Sequence, residues 1–268
     1  MTLNPDAPVL LEISEGVATV TLNRPRAMNA LAEDVLATLR DIWDGLATNS
    51  EVKAVVLRGA GDHFCAGHNL KEMTARRQDA DGGKSYFNEL FAQCSKMMMS
   101  IVELPQPVIA EVTGIATAAG CQLVATCDLA VASEEARFAT SGVNIGLFCS
   151  TPMVALSRNI GRKKAMEMLL LGEFVSADKA VELGLINKVV EHSEVGNAAR
   201  EMALKIVSKA PVAIKIGKRA FYEQADMPLG DAYEFTGAAM AENMMARDTE
   251  AGINAFIAKK PMPDWEGQ

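Results

Sequence analysis

Phe64-Cys65-Ala66-Gly67-His68-Asn69-Leu70 and Thr113-Gly114-Ile115-Ala116-Thr117-Ala118-Ala119-Gly120-Cys121-Gln122 decide how this chain folds and where it can act. Each stretch follows an apolar run of strand length, Ala54–Arg58 for the first and Val108–Val112 for the second, and each leads into a segment of helical composition. Small residues fill both turns, so a ligand can come close to the backbone. A helix beyond such a turn starts with N–H groups that lack partners, at an end carrying roughly half a unit of positive charge. Two such N–H groups aimed at one point form an oxyanion hole, which stabilises charge developing on a carbonyl oxygen. Taken singly, either turn is more commonly a packing device.

Outward from these turns, Val9–Ser14 and Val17–Asn23 read as hairpin strands around Glu15-Gly16, and Pro25 ends the second. Asn29 is placed to cap a helix reaching about Leu46, with Glu33 and Asp34 near its positive end. Asp79–Lys84 is polar and glycine-rich and reads as a mobile loop. Ser85–Glu103 has helical composition and stops at Leu104-Pro105-Gln106-Pro107. Gly114–Gly120 reads as a turn, followed by a helix over about Cys121–Thr126 and a strand at Leu129–Ala132. Beyond it, Met153–Leu171, Ser176–Leu183, Glu194–Lys209, Val212–Gln224, Leu229–Arg247 and Thr249–Ala258 read as helices, with a strand remnant at Val189–Val190. Ser176 suits an N-cap and Gly184 a C-terminal stop. The pattern implies an α/β core over residues 1–190 and a helical part over 191–268. Met227, Met240, Met244 and Met245 fit core packing and subunit contact equally well.

The 268 residues are 49% hydrophobic and 22% charged, with a net charge of −8. That sign argues against a non-specific nucleic-acid binder, and no polybasic anchor for a membrane is present. A phosphate-bearing ligand would need local cations, for which Arg24, Arg26, Lys71, Lys259 and Lys260 are the candidates. The five cysteines, Cys65, Cys94, Cys121, Cys127 and Cys149, include no C-x-x-C pair. They argue against a disulfide framework or zinc ribbon and fit a reducing compartment. The acidic N-terminal stretch has no signal-type apolar core, and no uncharged run has the length of a membrane span. A soluble, cytoplasmic protein is expected. Three histidines suggest no metal site.

Together the motifs resemble the enoyl-CoA hydratase/isomerase (crotonase) family. They are Leu22-Asn23-Arg24-Pro25, Met28–Leu31, Phe64–Met73, Pro107–Ala110, Thr113–Asp128, Ser133–Phe138, Arg162–Ala165, Leu171-Gly172, Ser176-Ala177 and Ala180–Val190. The resemblance implies a crotonase-type α/β spiral of ββα units, with a helical C-terminal region that builds a homotrimer or a dimer of trimers. It implies stabilisation of a thioester enolate. Coenzyme A would enter as part of an acyl-CoA substrate, with no separate cofactor. The oxyanion N–H groups fall on His68 and Ala119. The adenine end of CoA falls near Ala27, Met28, Ala66 and Leu70. Further substrate contacts are expected from Ala30, Asn69, Ile115, Gly142, Asn144 and Cys149, and from Phe256 and Lys259 of a neighbouring subunit.

A hydratase of this family deprotonates water with two glutamates. The first lies three residues beyond the oxyanion alanine, where this chain has Gln122. The second lies four residues beyond Phe138, where it has Gly142. Glutamine accepts no proton at neutral pH. Hydration is therefore expected to be weak, and Gln122 is left to orient a water or a carboxylate, or to be a satisfied buried amide. The departures around Ala118–Gln122, Thr140–Asn144 and Gly146–Thr151 resemble a divergent branch, the enoyl-CoA hydratase domain-containing proteins of subtype three. Gly67-His68-Asn69 and Val143–Gly146 also resemble methylmalonyl-CoA decarboxylase. Decarboxylation, double-bond isomerisation, thioester hydrolysis or catalytically silent acyl-CoA binding are the alternatives. Cys149 reads as a buried, inert thiol, and Asp128 as a local pairing or capping group.

Overall fold

The computed structural model describes residues 5–268, so the N-terminal stretch is described from Pro5 onward and Met1–Asn4 lie outside it. In chain order the elements are β1 (Val9–Ser14), β2 (Val17–Leu22), α1 (Glu33–Ala47), β3 (Ala54–Gly59), α2 (Leu70–Ala75), α3 (Lys84–Glu103), β4 (Val108–Val112), β5 (Ile115–Thr117), α4 (Ala119–Thr126), β6 (Leu129–Ser133) and β7 (Arg137–Ala139). Then follow α5 (Pro152–Asn159), α6 (Arg162–Leu171), β8 (Val175–Ser176), α7 (Ala177–Leu183), β9 (Lys188–Val190), α8 (Val195–Val207), α9 (Pro211–Gln224), α10 (Leu229–Met244) and α11 (Arg247–Ile257).

The fold is mixed α/β with a helical C-terminal region. A six-stranded sheet runs β1-β2-β3-β4-β6-β9. Only its β1–β2 hairpin is antiparallel; the other neighbours pair parallel. Glu15 and Gly16 close that hairpin with φ of 52° and 76°, the left-handed pair that a two-residue loop needs. Both faces of the sheet are covered, which explains the unbroken apolar runs in β3 and β4. Val55, Leu57, Val108 and Ala110 face a core shared with Leu39 and Trp43 of α1 and Met97 and Ile101 of α3. Ala54, Val56, Ile109 and Val131 face the other way, against Val195, Ala199 and Ala203 of α8. A second sheet, β5-β7-β8, is short and sits beside the first.

Several expectations change. Asn29 is not a helix cap: Ala32 holds the N-cap position of α1. The Asn29 side chain is buried instead. It accepts from the Arg24 N–H at 2.9 Å and donates to the carbonyls of Ala60 and His63 at 2.9 and 2.7 Å. It pins two loops together, a long-range use that a local capping rule does not see. The loop expected at Asp79–Lys84 is present, and in it Asp81 accepts from the N–H groups of Gly83 and Ser85 and from the Ser85 hydroxyl. Gly114–Gly120 contains β5, while β7 and β8 were not anticipated; strands of two or three residues are too short to show alternation. The expected Met153–Leu171 helix breaks at Ile160-Gly161, neither of them helical, into α5 and α6.

A buried ion pair ties α9 to the rest of the chain. Lys218 Nζ of α9 lies 2.7 Å from Asp128 Oδ2 and also donates to the carbonyls of Ile101 and Gln106. Asp128 additionally accepts from the Val108 N–H and the Tyr222 hydroxyl. Beyond this joint, α10 leaves apolar surface open: Met240 and Met244 are 71% and 55% exposed. No described helix is long and apolar enough to cross a membrane.

Candidate active site

The two glycine-bearing turns lie against each other. Cys65 bridges to Ala116: its N–H donates to the Ile115 carbonyl at 3.1 Å and its carbonyl accepts from the Thr117 N–H at 3.0 Å. On its other side the first turn bridges to Leu31. The Leu31 N–H donates to the Gly67 carbonyl at 2.7 Å, and the Ala66 N–H donates to the Met28 carbonyl at 2.9 Å. Gly67 has φ of +90°, and a Cβ there would stand 3.0 Å from Ala118 Cβ and 3.2 Å from the Ala119 nitrogen. A Cβ on Gly120 would overlap the Cys65 carbonyl oxygen. Both positions therefore require glycine, and the requirement is what lets the turns converge.

Ala118 is bent to φ 51° and ψ −119°, an unfavourable region for a residue with a side chain, costing about 1–3 kcal/mol. Its own N–H is anchored on the Ala139 carbonyl at 2.9 Å. The bend makes Ala119 the first residue of α4, where an N–H has no intrahelical acceptor. Among the described residues, the N–H groups of His68 and Ala119 have no hydrogen-bond partner, whereas those of Ala66, Gly67, Asn69 and Ala118 do.

A cavity of about 500 Å3 opens at this point. Of the residues expected from sequence, Ala66, His68, Leu70, Ala119, Gly142 and Cys149 line it. Ala27, Ala30 and Asn69 line a neighbouring depression together with Arg24, Glu33, Asp34 and Glu72. There Glu72 accepts from Asn69 Nδ2 at 2.9 Å, and Arg24 pairs with Asp34 at 3.1 Å. Met28, Ile115, Gln122 and Asn144 line neither space. Met28 supplies a carbonyl to the turn, Ile115 belongs to β5, and Asn144 donates to the Gly172 carbonyl at 3.0 Å. Phe256 and Lys259 are exposed at the end of α11. Sequence reasoning missed Met73 and Phe91, which also wall the cavity. Phe91 belongs to α3, which sends Leu90, Cys94, Met97, Met98 and Ile101 into the core, and its spacing gives no hint that it faces a cavity.

His68 and Cys149 are the ionisable side chains that line the cavity. Burial holds the His68 ring below its ordinary 6.5, an effect the nearby Leu31 backbone only partly offsets. Neither ring nitrogen reaches a partner at hydrogen-bonding geometry, and the ring packs edge-on to Phe91 with centroids 5.6 Å apart. The ring is thus neutral at pH 7. As pH falls below 6.5 the unfolded chain takes up this proton before the folded one, so stability declines with acid. His68→Gln is expected to flatten the slope of unfolding free energy between pH 7 and 5; an unchanged slope in urea titrations would exclude this contribution. Burial also pushes the Cys149 thiol up, softened by the backbone of Gly142.

Gln122 lies one helical turn beyond Ala119, 5% exposed, with its side-chain oxygen unpartnered. At Gly142 the backbone leaves no room: a Cβ would overlap the Leu147 carbonyl oxygen and lie 2.9 Å from Cys149 Sγ. Among the described residues no cluster of three or more His, Cys, Asp or Glu side chains gathers to hold a metal.

A family model described as enoyl-CoA hydratase/isomerase matches residues 12–268. The human enoyl-CoA hydratase domain-containing protein 3, mitochondrial, is 44% identical over 251 residues, covering 94% of this chain and 81% of that protein. The crystal structure of the human domain-containing protein 3 superposes with a TM-score of 0.88 at 42% identity, over 96% of this chain and 99% of that one. The crystal structure of an enoyl-CoA hydratase from Mycobacterium smegmatis superposes with a TM-score of 0.91 at 51% identity, over 96% of this chain and 98% of that one.

Proposed function

The chain belongs to the enoyl-CoA hydratase/isomerase family, in the branch of the domain-containing protein 3 relatives, and on that premise we propose that it binds an acyl-CoA thioester and stabilises its enolate between the N–H groups of His68 and Ala119. Coenzyme A enters as part of the substrate. The observation that carries this reading is the pair of unpartnered N–H groups, from two turns held together by bridged backbone, at the wall of one cavity. Enolate stabilisation serves isomerisation, decarboxylation and thioester hydrolysis alike. The test is turnover of a panel of acyl-CoA thioesters by the purified protein. Activity on any member supports catalysis, and binding without turnover favours a catalytically silent acyl-CoA-binding protein, the reading that Gln122 and Gly142 support.

Hydration is disfavoured because no carboxylate lines the cavity, and each acid or base typically contributes about 10²–10⁴-fold. Crotonyl-CoA hydration is expected far below the rate of an ordinary hydratase. Gly142→Glu is expected to destabilise the fold without restoring hydration, since the new side chain collides with the Leu147 carbonyl before it reaches the cavity. Stopped-time hydration assays with parallel thermal melts check both; ordinary hydratase rates in the parent chain would overturn the reading.

The proposal extends to assembly and location. Leu229, Tyr233, Phe256 and Ile257 are exposed apolar side chains on α10 and α11, which supports subunit contact in a trimer or a dimer of trimers. Five buried thiols, none in a disulfide, support a reducing compartment such as the cytoplasm; the mitochondrial designation belongs to the relatives.

A further inference from the structure

We propose that the acyl group taken by this cavity is uncharged and of medium length, roughly six to ten carbons, which rests on the acyl-CoA reading above. The walls carry the argument. Leu70, Met73, Phe91, Leu147 and Phe148 line the space, and no lysine, arginine, aspartate or glutamate does. The two groups that can ionise there are kept neutral by burial. The Ser141 hydroxyl is engaged with Thr117 at 2.7 Å. A carboxylate on the acyl chain would lose its hydration and meet no cation. Arg24, in the neighbouring depression, is paired with Asp34, and Glu33 and Glu72 surround it with negative charge.

Size sets the length. The cavity of about 500 Å3 holds roughly sixteen heavy-atom groups at ~30 Å3 each. The thioester and the adjoining end of the pantetheine chain take several, which leaves space for a medium chain. A two- to four-carbon acyl group would leave part of this apolar wall facing water, whereas each added methylene that replaces this water tightens binding about fourfold.

The test is isothermal calorimetry of the full chain with free CoA and with acetyl-, butyryl-, pentanoyl-, hexanoyl-, octanoyl- and decanoyl-CoA, together with succinyl- and methylmalonyl-CoA. Affinity is expected to rise about fourfold per methylene from butyryl to octanoyl, with succinyl-CoA at least about tenfold weaker than pentanoyl-CoA. Leu147→Lys places a cation at the exposed rim, where folding is not at risk, and is expected to narrow or reverse that ratio. A flat chain-length series, succinyl- or methylmalonyl-CoA binding as tightly as pentanoyl-CoA, or an unchanged ratio in Leu147→Lys overturns the proposal while leaving acyl-CoA binding intact. Failure to bind any thioester overturns the acyl-CoA reading itself and this inference with it.

Discussion

Ala119→Pro is expected to lower acyl-CoA turnover about 10²–10³-fold, the loss typical of one oxyanion donor, while the protein stays folded. Ala119 is the first residue of α4, the helical position where proline is best tolerated because its N–H has no intrahelical role. The substitution removes a hydrogen-bond donor at the cavity wall; it also constrains the bend at Ala118, which is why the melt is read beside the kinetics. Ala119→Gly keeps the N–H and is expected to keep most of the activity, which separates the donor from the methyl group. The readout is kcat and KM for whichever thioester is turned over, beside circular dichroism and a thermal melt. A folded Ala119→Pro protein with parental kcat would show that the charge develops elsewhere. The strained Ala118 sets the direction of this N–H. The two residues thus act as a unit: one stores the bend and the other presents the donor.

Lys218→Met is expected to destabilise the chain by about 3–5 kcal/mol, the usual cost of leaving one half of a buried ion pair alone. The Lys218 side chain is 6% exposed and that of Asp128 15%, so little water is available to replace the lost partner. Asp128 would keep the Val108 N–H and the Tyr222 hydroxyl, which places the loss toward the lower end. The carbonyls of Ile101 and Gln106 would lose a donor as well. Urea unfolding measures the change. Asp128→Asn combined with Lys218→Met is expected to recover part of it, because the uncompensated charge is gone. An unchanged unfolding midpoint in Lys218→Met would mean that α9 is held by its apolar contacts alone. Burial also holds the Lys218 ammonium below its usual range, with Asp128 opposing that shift. The pair is therefore a joint between the helical region and the sheet, and its worth lies in position as much as in charge.

How much of this was legible beforehand differs by element. The β1–β2 hairpin, β3, β4 and the Ser176–Gly184 helix with both its caps follow from local signals: a Glu-Gly turn, apolar runs, an N-cap serine and a stop glycine. Asn29 shows the limit. Its spacing suits a cap, yet its side chain bridges residues more than thirty positions away. Asp128 shows a partial success: pairing was anticipated, but its partners Lys218 and Tyr222 lie some ninety residues on.

The site divides the same way. The sequence by itself determined that two small-residue turns precede helices, and the family resemblance assigned the oxyanion N–H groups to His68 and Ala119. The same resemblance sets Gln122 and Gly142 where a hydratase of the family is expected to carry its carboxylates. These readings depend on residue type and on spacing along a short stretch of chain. Only the tertiary structure decided that Gly67 packs against Ala118 and Ala119, that Phe91 and Met73 wall the cavity, and that a side chain at position 142 would strike the Leu147 carbonyl. These are contacts between segments far apart in sequence, fixed by how the turns bridge and how α3 and the Gly142–Cys149 loop close over them. No local pattern encodes the free space left between such segments, because that space is set by how distant parts of the chain pack.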